Sequence, residues 1–153
     1  MLRISLAAFH LLALGLGMGA VITRGNTLRE ALTADSLRRA FRADNLWALA
    51  AVLWVVTGLW RMIGGMEKAR EYYEMNFIFM IKMGLFVLLL ALEVWPMITL
   101  MKWRKALRKG ASPASFAPLS TARRIAVLSH TEALVLVLMI FAAVSMARGY
   151  GLN

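Results

Sequence analysis

Four stretches of this chain, approximately 6–23, 46–60, 77–100 and 125–147, are almost continuously apolar. A bilayer core about 30 Å thick requires about 20 mostly apolar residues per spanning helix. Backbone amides in that core must be satisfied inside the segment itself or around a closed barrel. The stretches are rich in Leu, Ala and Met and do not alternate in polarity, which selects helices over barrel strands. The expected fold is therefore all-α, a single integral membrane four-helix bundle over residues 1–153. Composition agrees: 61% of residues are hydrophobic and the mean hydropathy is +0.68, against roughly 45–50% apolar residues in soluble domains. The first stretch, with Arg3 ahead of it and Gly19 and Ala20 near its end, also has marks of a signal peptide, but its length favours a span. With no cysteine, disulfides, thiolate metal sites and iron–sulfur clusters are excluded.

The net charge of +10 is not a nucleic-acid signal, because the charges sit between the apolar stretches. Most of the 18 Lys and Arg residues fall at 24–45 and 101–124. Basic loops resist translocation, so these two are expected to be cytoplasmic and both termini periplasmic, in a bacterial inner membrane. The first loop, "RGNTLREALTADSLRRAFRADN", spaces Leu28, Leu32, Leu37 and Phe41 at helical intervals among arginines. That pattern predicts an amphipathic helix on anionic headgroups, capped midway at Asp35 or Ser36. The second begins as a helical extension and breaks at Gly110 and two prolines. On the opposite side Arg61, Lys68 and Arg70 mix with acids, and Tyr72 and Tyr73 suit the interface.

Ionisable groups inside a bilayer are costly, at least about 2.5–3.5 kcal/mol each on insertion scales, and are functional candidates by default. Here they are His10, Lys82, Glu93, His130 and Glu132. Depth along the helices sorts them into an outer layer, His10 and Lys82, and an inner layer, Glu93, His130 and Glu132. The two histidines differ in depth by roughly 13 Å, too far to share one iron. Lys82 and Glu93, eleven residues apart, return to nearly the same azimuth and mark one interior stripe. For Lys82 the plainer alternative is snorkelling to the interface. His130 and Glu132 point to nearly opposite sides, with Ser129 on the Glu132 side. His130 is better suited to a structural role than to ligation. Pro96 is expected to open its helix near Leu92. Gly15, Gly17 and Gly19 in "GLGMG" leave room for a neighbouring backbone or a flat ligand. Trp47, Trp54 and Trp60 are read as packing and interface anchors.

The run "NFIFMIKMGLFVLLLALEVWPMITLMKWRKAL", the early "AFH" and the closing "EALVLVLMIFAAVSMARGYG" resemble an uncharacterised bacterial family of four-helix integral membrane proteins, a domain of unknown function. The resemblance covers essentially the whole chain. More distantly the chain is similar to HemJ-type protoporphyrinogen oxidases and to the CopD-type membrane domain. The HemJ-type pattern, a histidine after "AF", a lysine before a Leu-rich stretch and a late glutamate followed by alanine, falls here on His10, Lys82 and Glu132. It implies haem b; with Lys82 at compatible depth, His10 is the expected metal ligand, and the spacing of Gly15, Gly17 and Gly19 leaves space beside it. Ala7 departs from that pattern, where a further lysine is usual.

Three functions follow as expectations. The first is a haem-binding membrane protein in porphyrin handling or electron transfer. The second is a non-catalytic accessory subunit of a larger respiratory or photosynthetic complex, or a homo-oligomer. The third is an ion or small-solute carrier built on the Glu93 and Glu132 layer.

Overall fold

In the computed structural model, which describes residues 1–64 and 76–151, each apolar stretch lies within one long helix. Helix α1 spans Leu2–Thr27, α2 Ala34–Ile63, α3 Phe77–Arg108, a short α4 Pro113–Phe116, and α5 Leu119–Ala147. Among the described residues every regular element is helical, and α1, α2, α3 and α5 each have the length and hydropathy to cross a bilayer. Lys68, Arg70, Tyr72 and Tyr73 lie outside the described residues.

The long helices run from 26 to 32 residues, about 39–48 Å at 1.5 Å per residue, which exceeds a bilayer core of about 30 Å. Much of the excess in α2, α3 and α5 lies at the end that carries the α1–α2 and α3–α5 connections, here called the basic end. The expected surface helix is not separate: α1 continues to Thr27, and residues from Ala34 onward form the first turns of α2. The cap is Thr33, not Asp35 or Ser36; its hydroxyl accepts from the Ser36 amide, and Ser36 Oγ accepts in return from the Thr33 amide. Such reciprocal capping satisfies two backbone donors that the helix cannot. Leu28, Leu37 and Phe41 face inward and pack with Leu100, Trp103 and Ile125 instead of entering lipid. Between α3 and α5 the chain turns at Gly110, whose φ of +81° disfavours a side chain. Pro113 then opens α4, and Pro118 sits at the N-cap of α5. Helix α3 continues unbroken through the buried Pro96.

Helix α1 packs along α2, α3 along α5, and α1 against α5 joins the two pairs, while α2 and α3 touch little. The α1–α2 contact is close because Ala13, Gly17 and Ala20 share one face of α1. A Cβ at Gly17 would stand 2.9 Å from the Trp47 ring, whereas one at Gly15 or Gly19 would meet nothing within 4 Å. Close approach therefore comes through Gly17, and Gly15 and Gly19 face outward. At the other end Asn76 caps α3 and donates from Nδ2 to the Tyr150 carbonyl at 3.0 Å, and the Phe77 amide donates to Gly151. Those bonds fasten the start of α3 to the chain just beyond α5.

Candidate functional site

Arg24 decides what the interior of the bundle contains. It was expected in the first basic loop, yet it lies in the last turns of α1 with 0% exposure. The reason is its azimuth: Ala13, Gly17, Ala20 and Arg24 follow one another at intervals of three and four, so the face that packs on the other helices ends in a guanidinium.

Each long helix contributes to its surroundings. Nε donates to Ser129 Oγ of α5 at 3.0 Å. Nη1 donates to Asp44 Oδ1 of α2 at 2.9 Å and to Glu93 Oε1 of α3 at 2.8 Å. Nη2 donates to Glu93 Oε2 at 2.8 Å and to Glu132 Oε2 of α5 at 2.6 Å. A guanidinium has five N–H donors in a rigid fork, and these five bonds use all of them. Glu93 is held bidentately, the geometry that lysine could not reproduce. Asp44 also accepts from Arg104 Nη2 of α3 at 3.3 Å, and Arg104 lies over the Phe41 ring, 5.2 Å from its centroid.

Three carboxyl groups thus face two guanidinium groups, and the centre is one negative charge in excess if every group is ionised. Glu132 is fully buried, and its Oε1 has no hydrogen-bond partner among the described residues. Buried charge without compensation is expensive in low dielectric. One proton bound at this centre would remove the excess charge.

The expected inner layer is therefore real for Glu93 and Glu132, and it is completed by two residues that sequence reasoning placed elsewhere, Arg24 and Asp44. His130 stands to one side of it. Its Nδ1 pairs with the Ala126 carbonyl at 2.6 Å and its Nε2 with Asn26 Oδ1 at 3.1 Å. Gly25 makes room for the ring: a Cβ there would stand 2.6 Å from His130 Cε1.

The outer layer is built on α1, α2 and α3. His10 Nδ1 lies 2.9 Å from Thr57 Oγ1, and that hydroxyl gives its own proton to the Leu53 carbonyl at 2.7 Å. The Thr57 hydroxyl also reaches the Trp54 carbonyl at 3.1 Å, so His10 and Thr57 are tied together at the backbone of α2. The ring stacks on Trp54, centroids 5.6 Å apart, and Trp54 meets Phe86 of α3 edge-on at 5.9 Å. Trp54 Nε1 is buried without a hydrogen-bond partner among the described residues. Lys82 is half-buried one turn before Phe86 on the same stripe of α3, which continues through Leu89, Glu93 and Pro96. The residues that His130 meets on α1, Gly25 and Asn26, are 15 and 16 positions from His10, roughly 22–24 Å along the axis. The two histidines occupy separate layers. Among the described residues no group of three His, Cys, Asp or Glu side chains is arranged to hold a metal ion.

Residues 2–151 match the family described as predicted membrane protein (DUF2214). The chain belongs to that family. The match spans all the long helices and so takes in both polar layers. No curated protein and no solved structure matches the chain. Family membership and fold agree that this DUF2214 protein is a four-helix membrane protein; its chemistry has to be argued from the two layers.

Proposed function

We propose that the protein binds and releases a proton inside the membrane, at the centre formed by Arg24, Asp44, Glu93, Glu132 and Arg104. The observation that carries this reading is three carboxyl groups set against two guanidinium groups, one of which, Arg24, is fully buried. Intramembrane carboxyl groups in such surroundings serve proton relays and proton-coupled carriers. The basic end is taken as the cytoplasmic side of a bacterial inner membrane, which puts the centre in the cytoplasmic half. Glu132 is the proton-holding group in this reading, because its second oxygen lacks a partner. Arg24 holds the carboxyl groups together, and Ser129 fixes the guanidinium by accepting from Nε.

The test is infrared spectroscopy of the protein in lipid. The wild type is expected to show a carboxylic-acid carbonyl band that moves on deuteration, and Glu132→Gln, which copies the shape of the protonated side chain, is expected to lose it while keeping its helicity. Titration across the transition should detect one fewer proton per molecule in the variant. A wild-type spectrum with no carboxylic-acid band overturns the reading.

The placing of His10 on the Trp54 ring beside Thr57 favours a second reading, a b-type haem with His10 as metal ligand. The Thr57 bond supplies the outer hydrogen bond that orients a ligating imidazole, and the unpartnered Trp54 Nε1–H offers a donor beside it. Lys82, one turn before Phe86 on α3, is the residue from which a cation would approach an acidic haem substituent in this reading. Bound haem would supply one-electron transfer. The expected result is a Soret band in protein expressed with ample haem, reduced at least tenfold by His10→Ala; a band that survives the substitution removes His10 as ligand.

A further inference from the structure

At the basic end the weak α2–α3 contact opens into a cleft of about 350 Å³. Its walls carry Arg38, Arg42 and Asn45 from α2 and Arg104 and Arg108 from α3, over an apolar floor of Phe41 and Leu107. No acidic residue lines it. Arg38 is shared with the exposed Asp35 at 2.9 Å, and Arg104 donates from Nη1 to Asn45 Oδ1 at 2.7 Å. Arg42 and Arg108 have no ion-pair or hydrogen-bond partner among the described residues, and the buried Nε of Arg104 has no acceptor. Arg38 and Arg104 are thus shared with Asp35 and Asp44, while the exposed Arg42 and Arg108, on the two walls, leave two positive charges and their donors open to an anion.

We propose that this cleft is a phosphate-binding site, and that its ordinary occupant is the phosphodiester of an anionic phospholipid headgroup. Guanidinium forks match phosphate oxygens in pairs. Asn45, whose Oδ1 is occupied by Arg104, keeps its amide N–H groups as further donors. The position suits a lipid: the cleft lies between two long helices at the basic end, and basic pockets between helices near the cytoplasmic boundary recognise anionic headgroups. Arg104 is common to this cleft and the Arg24 centre, but Arg42 and Arg108 touch none of that centre's carboxyl groups, and the proposal stands whether or not the centre exchanges a proton.

The experiment compares the wild type, Arg42→Gln/Arg108→Gln and, as an equal change of charge at the other end, Arg3→Gln/Arg148→Gln. Each is reconstituted in nanodiscs of zwitterionic phosphatidylcholine, alone or with phosphatidylglycerol, and retained lipid is counted by native mass spectrometry. One phosphatidylglycerol should remain on the wild type and on the Arg3/Arg148 variant. Its affinity should fall roughly 30-fold in the Arg42/Arg108 variant, the loss of two surface arginines. A second arm titrates inorganic phosphate into phosphatidylcholine nanodiscs; saturable binding there, lost in the same variant and without lipid retention, supports the site and assigns it to free phosphate. Equal retention by both variants with no phosphate binding, or equal retention of both lipids by the wild type, overturns the proposal.

Discussion

Arg24→Gln is expected to destabilise the protein by about 3–5 kcal/mol, because it removes one partner from a buried ion network and leaves the carboxyl groups of Asp44, Glu93 and Glu132 facing one another. Total stabilities lie near 5–15 kcal/mol, so the variant should accumulate poorly and unfold at much lower denaturing-detergent concentration. The loss belongs to uncompensated charge more than to the bonds themselves. Arg24→Gln/Glu93→Gln/Glu132→Gln, which removes both signs together, is therefore expected to recover a large part of it. Arg24→Lys should rescue less, since a single ammonium cannot donate bidentately to Glu93 while also reaching Asp44, Glu132 and Ser129. Unfolding in mixed micelles measures all three. A change below about 1 kcal/mol for Arg24→Gln would show that the four helices are not clamped at this point.

Trp103→Ala should cost about as much, roughly 3–5 kcal/mol, through the cavity left by a large buried ring. Trp103 is buried with Leu37, Phe41, Leu100 and Ile125 at the basic end, beyond or at the limits of the four apolar stretches. Water is the competing solvent there, so burial of apolar area contributes in full. Within the bilayer core lipid tails solvate an exposed side chain nearly as well as protein does, and shape and hydrogen bonding matter more. Trp103→Ala should accordingly destabilise the basic end first, seen as faster proteolysis between α1 and α2 before loss of global helicity. Simultaneous loss of both would mean that the basic-end cluster and the spanning bundle unfold as one unit.

How much was legible can be followed along two helices. On α3 the interval between Lys82 and Glu93 placed both on one interior stripe, and the structure buries Leu89, Pro96, Leu100 and Trp103 along that line. On α1 Arg24 continues the stripe of Ala13, Gly17 and Ala20, but in a run apolar all round no interval marks that stripe as the inward one. Arg24 was assigned to a loop because an arginine at the end of an apolar run ordinarily marks the interface. Asp44 was missed for the same reason, although it falls between the buried Phe41 and Trp47 at helical spacing. Nothing in the intervals could tell that Gly17, not Gly15 or Gly19, meets a neighbouring helix, because any of the three could have faced α2.

The sequence by itself determined the four long apolar helices and the basic character of one end, because a bilayer accepts only satisfied backbone and few charges. It also determined that Glu93 and Glu132 lie at one depth, since rise per residue fixes depth once a span is placed. Only the tertiary structure decided which cation answers those carboxyl groups. The pairing of Arg24 with Asp44, Glu93 and Glu132 joins residues 20, 69 and 108 positions apart. Such a pairing depends on the rotation of each helix about its own axis. That rotation is set by packing between helices, which hydropathy and spacing along a single helix do not encode.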